Sequence, residues 1–235
     1  MIIWLASYPR SGNTLLRMVL KRCFGLASYS IYSDDEFAVP EVRQLVGEKP
    51  VGPDPARFLK QIRHESRLLC VKTHELPALD THKTIYVIRD GRAALVSHYH
   101  YLRDFRGMQS SIEDVIKGLD SPSWSQHVDA WLLCGRSNVL CIRYEDLVRV
   151  DGAAEEAIAA FIGMTPSHAF DVRFSELRDL MPAFFRSGSN DSNIAEMTQG
   201  QLALFDQLHG RTMDMLGYPR VPRMAWQGWR KETCA

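Results

Sequence analysis

The sequence predicts a three-layer α/β/α fold around a central, mainly parallel β-sheet, and three observations predict it. Four short apolar runs lack the alternation of a half-exposed strand, apolar stripes with helical spacing follow several of them, and glycines precede two of these stripes. Strands that are apolar throughout are typical of parallel sheets that helices cover on both faces. The alternation of strand and helix then implies right-handed crossovers within one sheet.

The individual elements follow from the same patterns. The strands are predicted, in chain order, at residues 2–6, 68–71, 84–88 and 139–142. The first helices are predicted after Gly12, after Gly91, around Trp131 and over 154–162, with Gly163 as the end of the last of these.

Near the C-terminus, Thr198-Gln-Gly-Gln201 has the form of a capping box, which predicts a further helix that Gly217 closes. Two segments are expected to be irregular loops beside a site. They are the proline-rich segment 33–55 and the small, polar segment 187–193.

Length and composition bound the function. The 235 residues are expected to form a single domain, 1–235, whose tail 219–235, with Trp226 and Trp229, forms a strap or a loose end. The 28 Lys and Arg residues balance the 28 Asp and Glu residues, so a general nucleic-acid-binding role is not expected. Five cysteines without a CxxC pair argue against a zinc site or a disulfide scaffold and favour a cytoplasmic location. No apolar run reaches the ~18 residues of a membrane span, so none is predicted.

The turn Ser7-Tyr-Pro-Arg-Ser-Gly-Asn-Thr14 lies between the first predicted strand and the helix that follows it. A helix N-terminus offers backbone N–H groups and the positive end of the helix dipole, and both favour an anion. Gly12 lets the backbone approach that anion, Arg10 adds charge, and Ser11 and Thr14 add hydroxyl donors. The turn is therefore interpreted as a phosphate cradle, with a simple helix-capping turn as the alternative. It is not a Walker A loop, because the first Gly and the Lys of that motif are missing.

Basic side chains also follow two other predicted strands. Arg89 comes after the strand 84–88, at the edge where α/β folds bind ligands, and its guanidinium suits a phosphate. Lys72 and His74 come after the strand 68–71 and, two residues apart on an extended chain, are expected to face the same side. A Lys and a His in one pocket suit charge neutralisation and proton abstraction.

Five segments in chain order resemble those of PAPS-dependent sulfotransferases. Tyr8-Pro-Arg-Ser-Gly-Asn-Thr14 resembles the loop that binds the 5′-phosphosulfate, Lys72-Thr-His-Glu-Leu-Pro77 the KTHLP segment, and the run 85–101 the 3′-phosphate motif. Arg143-Tyr-Glu-Asp-Leu147 is similar to the YEDL segment. Phe174-Ser-Glu-Leu177, followed by Phe184-Phe-Arg-Ser-Gly188, resembles the adenine contact and the closing RKG segment. The resemblance covers most of the chain and implies the P-loop-NTPase-like fold of that family.

The resemblance implies transfer of a sulfuryl group from 3′-phosphoadenosine 5′-phosphosulfate (PAPS) to a hydroxyl or amine of a small-molecule or natural-product acceptor. The product nucleotide would be 3′,5′-ADP (PAP), and no metal is expected. In-line displacement would use His74 as the general base, while Lys72 and Arg10 stabilise charge. The nucleotide is assigned to Arg10, Ser11, Gly12, Asn13 and Thr14 at the 5′-phosphate, to Arg89, Ser97, Arg186 and Gly188 at the 3′-phosphate, and to Tyr144 and Phe174 at the adenine.

The chain departs from the family pattern at three positions. Arg10 stands where a Lys is usual, and because Arg does not readily give up a proton, it could stabilise the leaving group but hardly act as an acid. Leu15 replaces the Trp that often stacks on adenine, and Ser187 replaces the Lys of RKG. The family's C-terminal dimer motif has no match, so the oligomeric state stays open, as does the identity of the acceptor.

The sequence leaves open two functions other than sulfuryl transfer and one general base other than His74. A P-loop kinase acting on a small molecule would need Mg-ATP, a Lys in the phosphate loop and a metal-holding Asp, for which Asp90 is conceivable. A non-catalytic nucleotide-binding module would need neither Lys72 nor His74. Glu75 could assist or replace His74 as the base.

Overall fold

The computed structural model describes residues 1–32, 40–63, 65–119, 121–149, 151–182, 184–186 and 188–220, and these residues divide into two compact units. The first unit comprises the described parts of Met1–Arg89 and Trp131–Arg186, and the second those of Asp90–Ala130 and Ser187–Ala235. The single domain expected for 1–235 stays a prediction. Ser187, Trp226 and Trp229 lie outside the described residues.

A six-stranded sheet is the centre of the first unit. Its strands are β1 Ile2–Ser7, β2 Ser28–Ser30, β3 Glu48–Lys49, β4 Leu69–Thr73, β5 Lys83–Ile88 and β6 Val139–Arg143. Their order in the sheet is β3-β2-β4-β1-β5-β6, and every neighbouring pair is parallel. The four strands that the apolar runs predicted are all present, so the predicted parallel sheet is confirmed.

Among the described residues, helices follow every strand of the sheet except β4, which leads directly to β5. In chain order they are α1 Asn13–Phe24, α2 Pro40–Val46, α3 Pro55–Ile62, α4 Gly91–Arg106, α5 Ile112–Lys117, α6 Trp124–Val128, α7 Tyr144–Arg149, α8 Ala153–Ile162, α9 Phe174–Leu180, α10 Asn190–Ile194 and α11 Gln199–Met215. A π-helical turn, Asp129–Leu133, follows α6 and contains the predicted helical position Trp131.

Side chains on successive positions of β1 point to opposite faces of the sheet. Ile3 and Leu5 belong to the larger core cluster, which also holds buried residues of α1, α2 and α8. Ile2 belongs to a smaller cluster with Ile62 of α3 and Val71 of β4. Helices therefore cover both faces of the sheet, and this burial accounts for strands that are apolar throughout. The predicted three-layer α/β/α arrangement is confirmed in the first unit.

The prediction that 33–55 is irregular is wrong for residues 40–49, whereas 50–54 lie in no helix or strand. α2 begins at Pro40, β3 lies at Glu48–Lys49, and α3 begins at Pro55. Proline is well accommodated in the first turn of a helix, where its missing N–H would have no helical partner, so these prolines begin helices instead of preventing them. Residues 33–39 lie outside the described residues. The segment 187–193 is likewise partly helical, because α10 begins at Asn190.

In the second unit, α4 begins at a crowded position. Asp90 caps α4, and its carboxylate accepts hydrogen bonds from the backbone N–H and the guanidinium of Arg92. This buried ion pair reaches the C-terminal segment, since Arg92 donates to the carbonyl oxygens of Pro219 and Arg220 at 2.7 and 2.6 Å. A Cβ at Gly91 would lie 2.7 Å from the Trp124 ring, so this position requires glycine. The predicted tail is thus anchored where it begins.

The predicted capping box of α11 is present. The Thr198 hydroxyl accepts from the Gln201 backbone N–H at 3.2 Å, and the Gln201 side chain accepts from the Thr198 backbone N–H at 2.9 Å. The helix ends at Met215, and Gly217, expected to close it, adopts φ 67°.

We expect Thr198→Ala to lower the free energy of unfolding by about 1 kcal/mol, because it removes the acceptor for an N-terminal backbone N–H of α11. Urea denaturation of the full chain measures the change. Thr198→Ser keeps a hydroxyl acceptor and is expected to retain nearly the wild-type value. Equal stability of the alanine variant and the wild-type protein would contradict the capping role.

Candidate active site

Several predicted site residues of the first unit lie at or just beyond the ends of strands that meet at one edge of the sheet. β1 ends at Ser7 and is hydrogen-bonded to β4 and β5, while β6 lies beside β5. Because all these strands are parallel, their carboxyl ends meet at the same edge. This edge therefore brings together the turn after β1, the segment Lys72–His74, Arg89 after β5 and Tyr144 after β6, as the sequence predicted.

The turn after β1 has an unusual backbone conformation at two positions. Arg10 has φ 63° and is the one non-glycine residue of the described chain with positive φ, and Gly12 has φ 109°. The Ser11 backbone N–H donates to the Tyr8 carbonyl oxygen at 3.2 Å and closes the turn. Left-handed backbone at a residue with a side chain costs about 1–3 kcal/mol and persists only where the surrounding structure imposes it.

The turn leaves a buried hydroxyl without a protein partner. Ser11 is 1% exposed, and its Oγ has no hydrogen-bond partner among the described residues. Buried polar groups in folded proteins are almost always hydrogen-bonded, so such a hydroxyl is suited to a ligand. The Asn13 side-chain amide donates to the Leu5 carbonyl oxygen at 2.8 Å. A contribution of Asn13 to anion binding would therefore come from its backbone N–H.

Helix α1 begins directly at this turn, at a point of close packing. Gly12 is the N-cap, no described side chain caps the helix, and its first turn contains no acidic residue. A Cβ at Gly12 would lie 2.7 Å from the ring of Tyr144. The positive end of the α1 dipole thus meets a turn whose backbone carries no side chain at Gly12, an arrangement that fits an anion.

Two arginines of the site stack on aromatic rings. The Arg10 guanidinium carbon lies 3.9 Å from the centroid of the Phe184 ring, and Arg10 donates to the Phe184 carbonyl oxygen at 2.6 Å. The Arg89 guanidinium carbon lies 4.4 Å from the centroid of the Tyr144 ring, and Arg89 donates to the Arg10 carbonyl oxygen at 3.2 Å. Burial raises the pKa of Tyr144, and the positive charge of Arg89 opposes this rise. Both guanidinium groups are held in defined orientations at this edge.

His74 is held through its ring and its backbone. Nδ1 lies 2.8 Å from the Ser7 carbonyl oxygen and 3.3 Å from Ser7 Oγ. Because the carbonyl oxygen can only accept a hydrogen bond, the shorter contact favours the tautomer with the ring proton on Nδ1. In the neutral ring the lone pair is then on Nε2, the nitrogen able to take a proton. The His74 backbone N–H donates to the Tyr32 hydroxyl at 2.6 Å.

Lys72 is a buried cation beside this histidine. The side chain is on β4, paired in register with Leu5 of β1, and the residue is 5% exposed. Its Nζ lies 5.3 Å from the centroid of the Tyr32 ring, and the His74 ring centroid lies 5.7 Å from the same ring. The expectation that Lys72 and His74 face one side agrees with their shared contact with Tyr32.

The remaining predicted residues are more scattered. In the first unit, Thr14 and Arg186 are half-buried, and Phe174 begins α9 with its ring 6.0 Å from that of Phe185. Ser97 lies on α4 and Gly188 has φ 63°, and both belong to the second unit. Their roles stay predictions from the sequence.

Sequence reasoning did not assign a role to two aromatic residues of this edge. Tyr32 contacts His74 and Lys72, and Phe184 supports Arg10. Tyr32 follows β2, a strand of three residues that has no clear apolar signal. Phe184 belongs to one of the five segments that resemble the family. Its contact with Arg10, 174 positions earlier, has no signal in the neighbouring sequence.

The described residues contain no group of three or more His, Cys, Asp or Glu side chains that could hold a metal ion. In the same part of the chain, no helix has both the length and the apolar character needed to cross a membrane.

A parallel α/β sheet whose carboxyl edge carries a glycine turn, a helix N-terminus and several cations defines a P-loop-like α/β protein with an edge suited to an anion. The sulfotransferase domain family matches residues 2–217, and the chain belongs to that family. The family resemblance carried by the five segments is therefore confirmed.

Individual relatives share moderate identity with the chain. Sulfotransferase 4A1 of Homo sapiens is 28% identical over 182 residues, which cover 69% of this chain and 60% of the relative. A 3-alpha-hydroxysteroid sulfotransferase of Cavia porcellus is 36% identical over 89 residues, which cover 34% of this chain and 31% of that protein. The matched part of the chain thus spans 60% of the length of the human relative.

Solved structures with the same fold include a mouse sulfotransferase, SULT7A1, complexed with PAP. It has a TM-score of 0.64 and 23% identity, and the similarity covers 90% of this chain and 83% of that one. Retinol dehydratase in complex with androsterone and PAP has a TM-score of 0.60 and 21% identity, over 90% of this chain and 80% of its own. These similarities confirm the predicted fold.

Proposed function

We propose that this protein transfers a sulfuryl group from PAPS to a hydroxyl or amine of a small-molecule acceptor. Membership of the family supports the proposal, as do the sulfotransferases among its relatives and the similar structures complexed with PAP. The observation that carries it is the 2.8 Å contact between His74 Nδ1 and the Ser7 carbonyl oxygen, which favours the tautomer with its lone pair on Nε2, beside the buried cation Lys72. The cytoplasmic location and the small-molecule acceptor remain predictions from the sequence.

The nucleotide would lie along the carboxyl edge of the sheet. The turn Ser11–Thr14 would hold the 5′-phosphate, and Ser11 supports this assignment because its buried hydroxyl has no partner among the described residues. Arg89 and Arg186, together with Ser97 and Gly188, are assigned to the 3′-phosphate from the sequence resemblance. Tyr144 and Phe174 are assigned to the adenine on the same ground.

In the proposed reaction, His74, Lys72 and Arg10 have different roles. When PAPS is bound, the bond between sulfur and the 5′-phosphate oxygen breaks while a bond from sulfur to the acceptor oxygen or nitrogen forms. His74 would take the acceptor proton on Nε2, so that the attacking atom becomes more nucleophilic. Lys72 and Arg10 would stabilise the negative charge on the sulfuryl group and the leaving phosphate. Arg10 keeps its proton throughout, because a guanidinium is not deprotonated in proteins.

Calorimetric titration of the full chain tests the nucleotide assignment. PAP is compared with 5′-AMP and with ATP, the last with and without Mg²⁺. We expect metal-independent binding of PAP and a large loss of affinity when the 3′-phosphate is missing. Preference for Mg-ATP with no binding of PAP would contradict the proposal and favour a small-molecule kinase.

We expect Arg89→Ala to weaken PAP binding by about 10- to 100-fold, since a charge-assisted hydrogen bond to phosphate contributes roughly 1.5–3 kcal/mol. The affinity for 5′-AMP should change little. Arg149→Ala removes an exposed arginine of α7 and serves as the matched control. Equal losses for PAP and 5′-AMP would place Arg89 elsewhere than at the 3′-phosphate.

A further inference from the structure

Tyr32 lies two residues beyond the end of β2 and contacts both side chains to which the proposed function assigns proton transfer and charge stabilisation. We propose that Tyr32 is a positioning residue for the transfer step, whose hydroxyl fixes the backbone of His74 and whose ring fixes the ammonium group of Lys72. The inference rests on the proposed function. It assigns the hydroxyl of Tyr32 to His74 and the ring of Tyr32 to Lys72.

The hydroxyl joins the two residues that follow β4. It accepts from the His74 backbone N–H at 2.6 Å and donates to Glu75 Oε1 at 3.3 Å. Burial raises the pKa of Tyr32 to about 12, so the hydroxyl keeps its proton at neutral pH and the donation to Glu75 persists. Glu75 therefore accepts a hydrogen bond from Tyr32, and this contact favours a supporting role for Glu75 over the role of base that the sequence left open.

The turn that carries His74 is held at several further points. The Glu75 backbone N–H donates to Thr73 Oγ1 at 3.1 Å, and Trp131 Nε1 donates to the Glu75 carbonyl oxygen at 3.0 Å. With the ring of His74 bound to the Ser7 carbonyl oxygen, both its side chain and its backbone have fixed partners. A base held in this way needs little reorganisation when the acceptor arrives, which is the advantage of a preorganised site.

The ring of Tyr32 serves the other partner. Lys72 Nζ lies 5.3 Å from the ring centroid, within the range of a cation–π contact, and Lys72 is 5% exposed. A buried ammonium group loses its hydration, and an attractive ring face offsets part of that loss. The His74 ring lies 5.7 Å away, tilted by 31° to the Tyr32 ring. The spacing between the base and the cation is thereby set by one aromatic side chain.

The neighbouring Tyr29 offers a matched control. It lies on β2 itself, three positions before Tyr32, and its ring centroid lies 4.9 Å from that of Phe58 of α3, where both residues pack against the smaller core cluster. Removing its hydroxyl tests what a tyrosine hydroxyl of this strand contributes to stability. It does not alter the contacts of His74 or Lys72.

The test compares Tyr32→Phe with Tyr29→Phe in the full chain. Turnover of PAPS to PAP is followed with 4-nitrophenol and other simple phenols as acceptors and with water alone. We expect Tyr32→Phe to lower kcat about 10-fold, with the KM for PAPS nearly unchanged and the melting temperature lowered by only a few degrees, because one hydrogen bond is lost. Tyr29→Phe should match the wild-type kcat. An unchanged kcat in Tyr32→Phe, or a fall in kcat that merely follows a fall in melting temperature, would overturn the inference.

Two further measurements separate the parts of the proposal. Hydrogen exchange of the His74 amide should accelerate in Tyr32→Phe, because its acceptor is lost, and an unchanged rate would contradict the hydroxyl contact. Tyr32→Leu also removes the ring and should lower kcat a further few-fold below Tyr32→Phe; equal values would refute the role of the ring. A wild-type protein that neither binds PAP nor consumes PAPS would overturn the proposed function itself. A wild-type protein that does both, with Tyr32→Phe fully active, would overturn only the assignment of Tyr32.

Discussion

His74→Ala is expected to lower the kcat of sulfuryl transfer by about 10²–10⁴-fold, the usual contribution of a positioned general base. The reason is the tautomer that the Ser7 carbonyl oxygen selects, which leaves the lone pair on Nε2. PAP affinity should stay close to the wild-type value, because the proposed nucleotide contacts come from other residues. The measurement is steady-state turnover of PAPS together with calorimetric titration of PAP. His168→Ala removes an exposed histidine far along the chain and controls for the loss of an imidazole.

A second variant separates the position of His74 from its basicity. His74→Asn can keep a side-chain N–H donor toward the Ser7 carbonyl oxygen but has no group that takes up a proton at neutral pH. We expect it to be as inactive as His74→Ala. Full turnover in either variant, with PAP bound normally, would show that His74 is not the base. Loss of activity in Glu75→Gln beside an active His74→Ala would then transfer the role to Glu75.

The parts of the site that could be predicted from the sequence are those that follow long, apolar strands. An apolar run in the sequence marks each of four strands, β1, β4, β5 and β6. Because parallel strands end at a common edge of the sheet, their topology brings together Arg10, Lys72, His74 and Arg89. The spacing of Lys72 and His74 also reflects the two-residue period of an extended chain. These inferences need no knowledge of distant contacts.

The parts that could not be predicted depend on short elements or on distant contacts. β2 and β3 have three and two residues, too few for a periodic signal. Tyr32 reaches His74 across 42 positions, so nothing in its own neighbourhood marks it as part of the site. The positive φ of Arg10 is also unpredictable, because residues with side chains rarely adopt it unless the surrounding structure imposes it.

The departure from the family pattern at Arg10 has a structural consequence. Its planar guanidinium packs on the Phe184 ring and also donates to the carbonyl oxygen of the same residue. An ammonium group has no planar face and could not make the same stacked contact. Arg10 therefore links the turn after β1 to the segment 184–186, which carries Arg186, while its charge stays at the edge of the sheet. This link partly explains how the turn keeps its left-handed backbone.

Gly12→Ala is expected to destabilise the protein by about 3 kcal/mol and to abolish detectable PAP binding. A φ of 109° is strained for any residue with a Cβ, at a cost of roughly 1–2 kcal/mol. The new Cβ would also lie 2.7 Å from Cδ2 of Tyr144, and that ring is 6% exposed with the Arg89 guanidinium on it. Overpacking of this kind adds about 1–3 kcal/mol. Displacing Tyr144 would move Arg89 and the turn together, so stability and nucleotide binding should be lost in the same variant.

Gly25→Ala separates the cost of backbone strain from the cost of overpacking. Gly25 lies at the C-terminal end of α1, the helix that Gly12 begins. Its φ is 66°, and no atom of the described residues lies within 4 Å of a Cβ built there, so only backbone strain applies. Denaturant unfolding should therefore show a loss of about 1 kcal/mol for Gly25→Ala, the lower end of the cost of left-handed backbone. Its PAP affinity should be that of the wild-type protein. If the two alanine variants lose the same stability and both bind PAP, the contact with Tyr144 does not shape the turn, and Gly12 is required only by its backbone angle.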